Sequence, residues 1–229
     1  KTLRGALCSD FDGAVFGIFH WVDGDNLQND ETRTAEYRIL AKVYSIPVNG
    51  LKIKRQYYNS DAAHLCFELW SKLTDSPFLR LLNEYKESLE RRSARLELFA
   101  QKCEKFKDCI YITHGDAGGN IIKRNDKFFL IDWDGVILAP PERDAWFYMH
   151  WDGEIEKFNN ELRYNGIDYS FQPERLAFSC YNAYFQYLNE YMKTSFDIGT
   201  FGFNAESLKD DFFEGWIEPI LKVADKIPL

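Results

Sequence analysis

The chain has 229 residues, 45% hydrophobic and 17% aromatic, which is enough apolar material for one sizeable core or a little more. Its 28 Lys and Arg against 36 Asp and Glu leave a net charge of −8. That balance argues against nucleic acid, whose binding rests on neutralising phosphates with Lys and Arg, and suits a cationic ligand as well as plain solubility.

In chain order, Leu3 to Cys8 and Ala14 to Val22 read as two strands joined by Ser9-Asp10-Phe11-Asp12-Gly13, where Asp and Gly supply turn chemistry. A helix is predicted from Asp30 to Ser45. Asp30 and Glu31 suit its first turn, Ala35, Ile39, Leu40 and Val43 share a face, and Pro47 stops it. A second helix runs from Ala62 to Leu73. A third starts at Ser76-Pro77 and extends to about Phe106, with Phe78, Leu82, Tyr85, Leu89, Leu96, Phe99, Cys103 and Phe106 near heptad spacing and Glu90 to Arg95 as its solvated face. Cys109 to Thr113 is a short strand, and Ala139-Pro140-Pro141 turns into a further helix. Two aromatic stripes follow. Leu176 to Tyr191 begins after Pro173, and Leu208 to Leu221 carries a kink expected at Pro219. Glu214 and Glu218 lie one turn apart, either meeting a cationic substrate or facing solvent.

Cys8, Cys66, Cys103, Cys109 and Cys180 are odd in number and lack paired spacing. They read as buried thiols in a reducing compartment. No apolar run approaches about 18 residues and no secretory leader is visible, so the expectation is a cytoplasmic protein without a membrane partner. Because Lys1 rather than Met opens the chain, a fragment or processed product is expected.

Chemistry concentrates between Ile112 and Asp134: His114-Gly115-Asp116, then Asn120, then Leu130-Ile131-Asp132-Trp133-Asp134. Short apolar runs separate the polar groups, as in a hairpin. Read as a strand, Asp132 and Asp134 leave one face and Trp133 the other. Two carboxylates so placed repel each other unless a cation or donors lie between them.

This pattern resembles the catalytic loop and metal-binding strand of the aminoglycoside phosphotransferases, small-molecule relatives of the protein kinases. The stretch Pro140-Pro141-Glu142-Arg143-Asp144 resembles their spectinomycin-phosphotransferase branch. The resemblance implies an α+β fold, a mainly helical kinase-like C-terminal lobe with small β-hairpins at residues 24–229, preceded by a remnant N-lobe hairpin and hinge at 1–23. It gives Asp116 the role of accepting the hydrogen bond of the attacking hydroxyl. Asn120, Asp132 and Asp134 become magnesium ligands, hard oxygens suited to that ion. Phe19, His20, Trp21 and Val22 would line a nucleotide-base pocket or serve as core. His114, a candidate base by its pKa, is implied to orient the loop from beneath, and Asp144 to accept its hydrogen bonds. One departure is visible: three residues separate Asp116 from Asn120, where the family usually has four.

The expected activity is magnesium-dependent transfer of the γ-phosphate of ATP or GTP to a hydroxyl of an aminoglycoside or related cationic molecule, with antibiotic resistance as the consequence. The alternatives are a kinase for choline, homoserine or a sugar amine, and a non-catalytic binding fragment. No glycine-rich phosphate loop and no strand lysine paired with a helix glutamate is found in the sequence. An N-terminal lobe upstream of Lys1 is therefore expected, with the fragment alone inactive.

Overall fold

The computed structural model describes residues 8–11, 14–17, 21–74, 77–106, 109–196 and 205–229. Strands β1 (Cys8–Phe11) and β2 (Ala14–Gly17) pair antiparallel, with Phe11 opposite Ala14. Ser9, Asp10 and Phe11 therefore belong to the strand, not to the turn predicted for them. The following segment is tied down by a bridge in which Asp25 and Lys123 exchange backbone hydrogen bonds, both 2.9 Å.

Helix α1 (Asp30–Tyr44) starts where its cap dictates. The Asn29 side chain accepts from the Thr32 N–H at 3.0 Å, and the Thr32 hydroxyl oxygen accepts from the Asn29 N–H at 3.1 Å. Its buried face is Tyr37, Leu40, Ala41 and Tyr44, whereas Ile39 and Val43 are only half-buried. Ala35 and Leu40 are buried as expected, and tyrosines take the places expected of Ile39 and Val43 because buried carboxylates satisfy their hydroxyls: Tyr37 donates to Glu154 and Tyr44 to Asp144.

Helix α2 (Asp61–Lys72) follows. The long third helix is two, α3 (Pro77–Glu84) and α4 (Lys86–Cys103). The chain bends at Tyr85, whose ring stacks on Phe213 at 4.2 Å. Glu90 and Arg91 on α4 are exposed as expected, but Arg92 and Arg95 are not part of a solvated face. Arg92 is 4% exposed and ion-paired to Glu218 and Asp225, and Arg95 donates to the Tyr181 hydroxyl and to the Ala224 and Ile227 carbonyls. Both arginines thus cap the C-terminal helices from inside. The same pairing accounts for Glu218, while Glu214 accepts from the Tyr85 hydroxyl, so both glutamates are engaged within the protein.

Strand β3 (Tyr111–Thr113) pairs antiparallel with β6 (Ile137–Ala139), and β4 (Ile121–Arg124) with β5 (Lys127–Leu130). Residues 54–56 lie along β6: Leu138 donates to Lys54 O, and Gln56 donates to Leu138 O. The short helix α5 (Glu142–Ala145) leads through a 3-10 turn at Trp146–His150 to α6 (Glu154–Tyr164).

Helix α7 (Pro173–Phe196) is the spine of the core, packed against α2, α4 and α5. Beyond it, α8 (Ala205–Ser207) continues into a π-helical segment, Leu208–Trp216, and α9 (Glu218–Ala224) ends the helical part and also packs on α7. The break between them lies at Gly215, where the backbone is non-helical, and Pro219 sits in the first turn of α9, the position a proline tolerates. Cys66, Cys103 and Cys180 are buried free thiols, and Cys109 is half-buried. No described helix is long and apolar enough to cross a membrane.

Candidate active site

Between β3 and β4 the chain makes a loop whose entry leans on a buried carboxylate. Asp144, buried in α5, accepts from the His114 N–H at 3.0 Å, from the Gly115 N–H at 2.6 Å and from the Tyr44 hydroxyl at 2.8 Å. Beside it Arg143 reaches the other way, donating to the Thr113 hydroxyl at 3.0 Å and to the Gly135 carbonyl at 2.8 Å. Neighbouring residues of one short helix thus clamp the loop and the turn that faces it. Gly115 is required here: its φ is +90°, and a methyl group on it would sit 2.0 Å from the Arg143 guanidinium.

His114 is fully buried. Its Nε2 faces the Ile131 carbonyl at 2.7 Å and its Nδ1 faces the Asp116 N–H at 3.3 Å, so the network makes Nε2 the donor and Nδ1 the acceptor. The ring bridges the loop to the end of β5, with Trp133 edge-on to it at 4.5 Å. Both nitrogens are thereby engaged within the protein.

Asp116 is exposed, and each of its carboxylate oxygens takes a donor: Tyr187 Oη at 3.0 Å on Oδ1 and Asn120 Nδ2 at 2.9 Å on Oδ2. Burial and the Asp116 charge hold the Tyr187 phenol above its ordinary pKa, so it stays a donor. Asn120 also holds the Asp116 carbonyl at 2.7 Å, which leaves its own Oδ1 for another partner. Asn120 and Asp116 are therefore adjacent despite the short loop.

The strand does not continue through Asp132. Asp132 takes φ 63°, ψ 63°, in the left-handed region, and turns the chain into a 3-10 turn at Trp133–Gly135. Strand alternation therefore does not place the two carboxylates, because β5 ends at Leu130. Both are exposed, and neither has a hydrogen-bond or ion-pair partner among the described residues. Asp134 lines a cleft of about 600 Å³ together with Asp116, Asp61, Glu190 and the amides of Asn59, Asn182, Gln186 and Asn189. A second cleft of about 230 Å³ shares Asp116 and is walled by Trp146, Phe147, Tyr187 and Trp216.

For a magnesium ion, two free carboxylates and an uncommitted amide oxygen form a hard-oxygen donor set of suitable kind. Among the described residues no three His, Cys, Asp or Glu side chains gather as a metal group, so a magnesium site here would need Asn120, nucleotide or water as well.

Of the residues expected at a base pocket, Phe19 and His20 lie outside the described residues. Trp21 is 85% exposed with its indole N–H on Asp23, and Val22 is half-buried; neither lines the two clefts. The strongest link from this segment to the site is one the sequence did not suggest: Asn26 Nδ2 donates to the Gly119 carbonyl at 2.8 Å.

Comparison with known proteins places this architecture. No protein-family model and no curated protein matches the sequence. Solved structures do. The chain superposes on spectinomycin phosphotransferase APH(9)-Ia in complex with ADP and spectinomycin with TM-score 0.69 at 15% identity, covering 96% of this chain and 75% of that one. The AMP-bound complex of the same enzyme gives TM-score 0.64 at 15% identity, over 99% and 77%. A Ralstonia eutropha protein assigned to the aminoglycoside phosphotransferases gives TM-score 0.64 at 16% identity, over 98% and 78%. The chain has the aminoglycoside-phosphotransferase fold. Its helices and small sheets correspond to the helical C-lobe of that kinase-like architecture. Within this fold Arg143, Tyr187 and Trp216 contact the loop or line its clefts, and sequence reasoning passed over them. The adjacency of Arg143 to Asp144 was the only signal in the sequence for any of them.

Proposed function

We propose that the protein is a magnesium-dependent phosphotransferase that moves the γ-phosphate of ATP or GTP to a hydroxyl of an aminoglycoside or related aminocyclitol, with loss of antibiotic potency as the outcome and the cytoplasm as its place. The observation that carries this reading is Asp116, at the junction of two clefts, oriented by Tyr187 and Asn120. An attacking hydroxyl in the larger cleft would donate to a remaining lone pair of this carboxylate, which aligns it and takes up its proton as transfer proceeds. Asp132, Asp134 and the Asn120 oxygen would hold magnesium, which neutralises charge on the phosphates. Asp61, Asp116, Asp134 and Glu190 face the same cleft against one cation, Lys193, itself paired to Glu190. That sign suits an amine-bearing acceptor, and the four amides suit a polyhydroxylated one.

A second reading has its own observation. The four aromatic walls of the smaller cleft, beside one carboxylate, fit a compact alkylammonium alcohol of the choline type through cation–π contact.

Turnover needs groups that cradle the β- and γ-phosphates, and no glycine-rich loop or paired strand lysine is found between Lys1 and Leu229. The 229-residue chain by itself is therefore expected to bind and not to turn over. Calorimetric titration with ADP, with and without magnesium, and with spectinomycin, other aminoglycosides and choline tests the reading. Magnesium-enhanced ADP binding plus saturable binding of one acceptor class supports it, and absence of both refutes it. Mass spectrometry for phosphorylated product after incubation with ATP or GTP tests the inactivity, which multiple turnovers would overturn.

A further inference from the structure

The three-residue link between Asp116 and Asn120 is anchored from an unexpected direction. Glu36, on α1 and more than 80 positions earlier, is 1% exposed, and its Oε1 accepts from the Gly118 N–H at 3.0 Å while its Oε2 accepts from the Tyr148 hydroxyl at 2.6 Å. It has no ion-pair partner among the described residues. A carboxylate taken out of water without a cation is costly, and burial pushes its pKa up accordingly. Its two donors, one of them a backbone N–H of the loop, offset that cost.

We propose that Glu36 is a positioning residue for the catalytic loop: through Gly118 it sets where Asn120, and with it Asp116, stands. This rests on the roles given to Asp116 and Asn120 above. Asp144 fixes the entry of the loop at His114 and Gly115, and nothing in that contact fixes its exit. At the exit Gly118 has φ +111°, and a methyl group on it would meet the Phe147 ring at 2.5 Å. Gly118 is thus held between Phe147 and Glu36, while the next carbonyl, Gly119, is held by Asn26. Asn120 follows immediately and bonds Asp116 twice. A link this short has no slack, so a shift at Gly118 carries the Asn120 amide off Asp116 and moves the oxygen available to a metal. The charge-assisted bond from a backbone N–H to a carboxylate is stronger than a neutral one. That explains a glutamate here where a glutamine has the same shape.

The test compares Glu36→Gln with Tyr148→Phe, which removes the other hydrogen bond of Glu36 and leaves the loop contact in place. Amide exchange by 15N NMR reads the Gly118 N–H directly. It is expected to exchange roughly tenfold or more faster in Glu36→Gln and as in wild type in Tyr148→Phe. Titration of the ADP complex with magnesium reads the consequence. Affinity for the ion is expected to fall about 10–100-fold in Glu36→Gln, the range for outer groups that orient ligands, while magnesium-free ADP binding stays unchanged in both variants. Wild-type protection of Gly118 in Glu36→Gln overturns the anchor, and faster exchange with unchanged magnesium affinity overturns its positioning role. If wild type shows no magnesium response, the metal reading fails and Gly118 exchange alone decides whether Glu36 anchors the loop. Should Glu36→Gln lose its cooperative melt, Glu36→Asp, with the charge kept and the reach shortened, carries the same comparison.

Discussion

Replacing Asp144 tests the clamp on which the loop from His114 to Asn120 rests. The side chain is 1% exposed and accepts three hydrogen bonds, from the His114 and Gly115 amides and the Tyr44 hydroxyl. Asp144→Ala leaves two buried donors and the half-buried Gly115 N–H without an acceptor, at about 1–3 kcal/mol each. The sum, roughly 3–9 kcal/mol, rivals the whole stability of an ordinary domain, about 5–15 kcal/mol, so that variant is expected to fold poorly. Asp144→Asn is the sharper probe. It keeps the shape, has one acceptor oxygen instead of two, and turns an amide donor toward one of the three donors. Loss of one hydrogen bond to a charged group amounts to about 1.5–3 kcal/mol. For a chain of this length that lowers Tm by roughly 3–12 °C. Thermal unfolding followed by circular dichroism at pH 7 measures it, with magnesium-dependent ADP binding on the same samples. An Asp144→Asn protein with Tm within about 1 °C of wild type and intact magnesium response would show that the three contacts do not hold the loop.

Other outcomes follow from the same geometry. Asp116→Asn is expected to lower kcat about 10²–10⁴-fold wherever turnover is measured, with nucleotide affinity near wild type, because it removes the hydroxyl's acceptor and no phosphate contact; near-normal turnover would exclude Asp116 from the chemistry. Asp132→Ala is expected to abolish magnesium-dependent ADP binding and Asp134→Ala to weaken it less, and magnesium titrations that match wild type for both would remove these carboxylates from the metal site. Gly115→Ala places a methyl group 2.0 Å from the Arg143 guanidinium at φ +90°, and a loss of about 1–3 kcal/mol from backbone strain alone is expected in urea unfolding. Glu142 is buried against Tyr169 and the Gln172 amide, and burial raises its pKa above the ordinary 4.5. The folded state therefore holds its proton to higher pH than the unfolded state, and stability falls as pH rises from about 4.5 through the raised value. Glu142→Gln should flatten that part of the Tm-against-pH curve, and an unchanged slope would remove Glu142 as its source.

Local chemistry was legible wherever neighbours in sequence supply it. The acidic first turn of α1 and Pro173 each set a helix start within a residue or so, because helix starts depend on groups within the first turn. The residue types from His114 to Asp134, in that order, carried the resemblance that pointed to the fold. What the sequence could not reveal depended on groups brought from far along the chain. Arg92 and Arg95 read as a solvated face until the C-terminal helices supplied Glu218, Asp225 and the carbonyls they bind. Asp132 read as the end of a strand, whereas packing of Trp133 against His114 accompanies a left-handed turn there. Tyr187 and Glu36 carried no assignment from the sequence. Only the tertiary structure sets one on the Asp116 carboxylate and the other on the Gly118 amide, because a buried polar group is placed by the partner that satisfies it, and those partners lie 71 and 82 residues away.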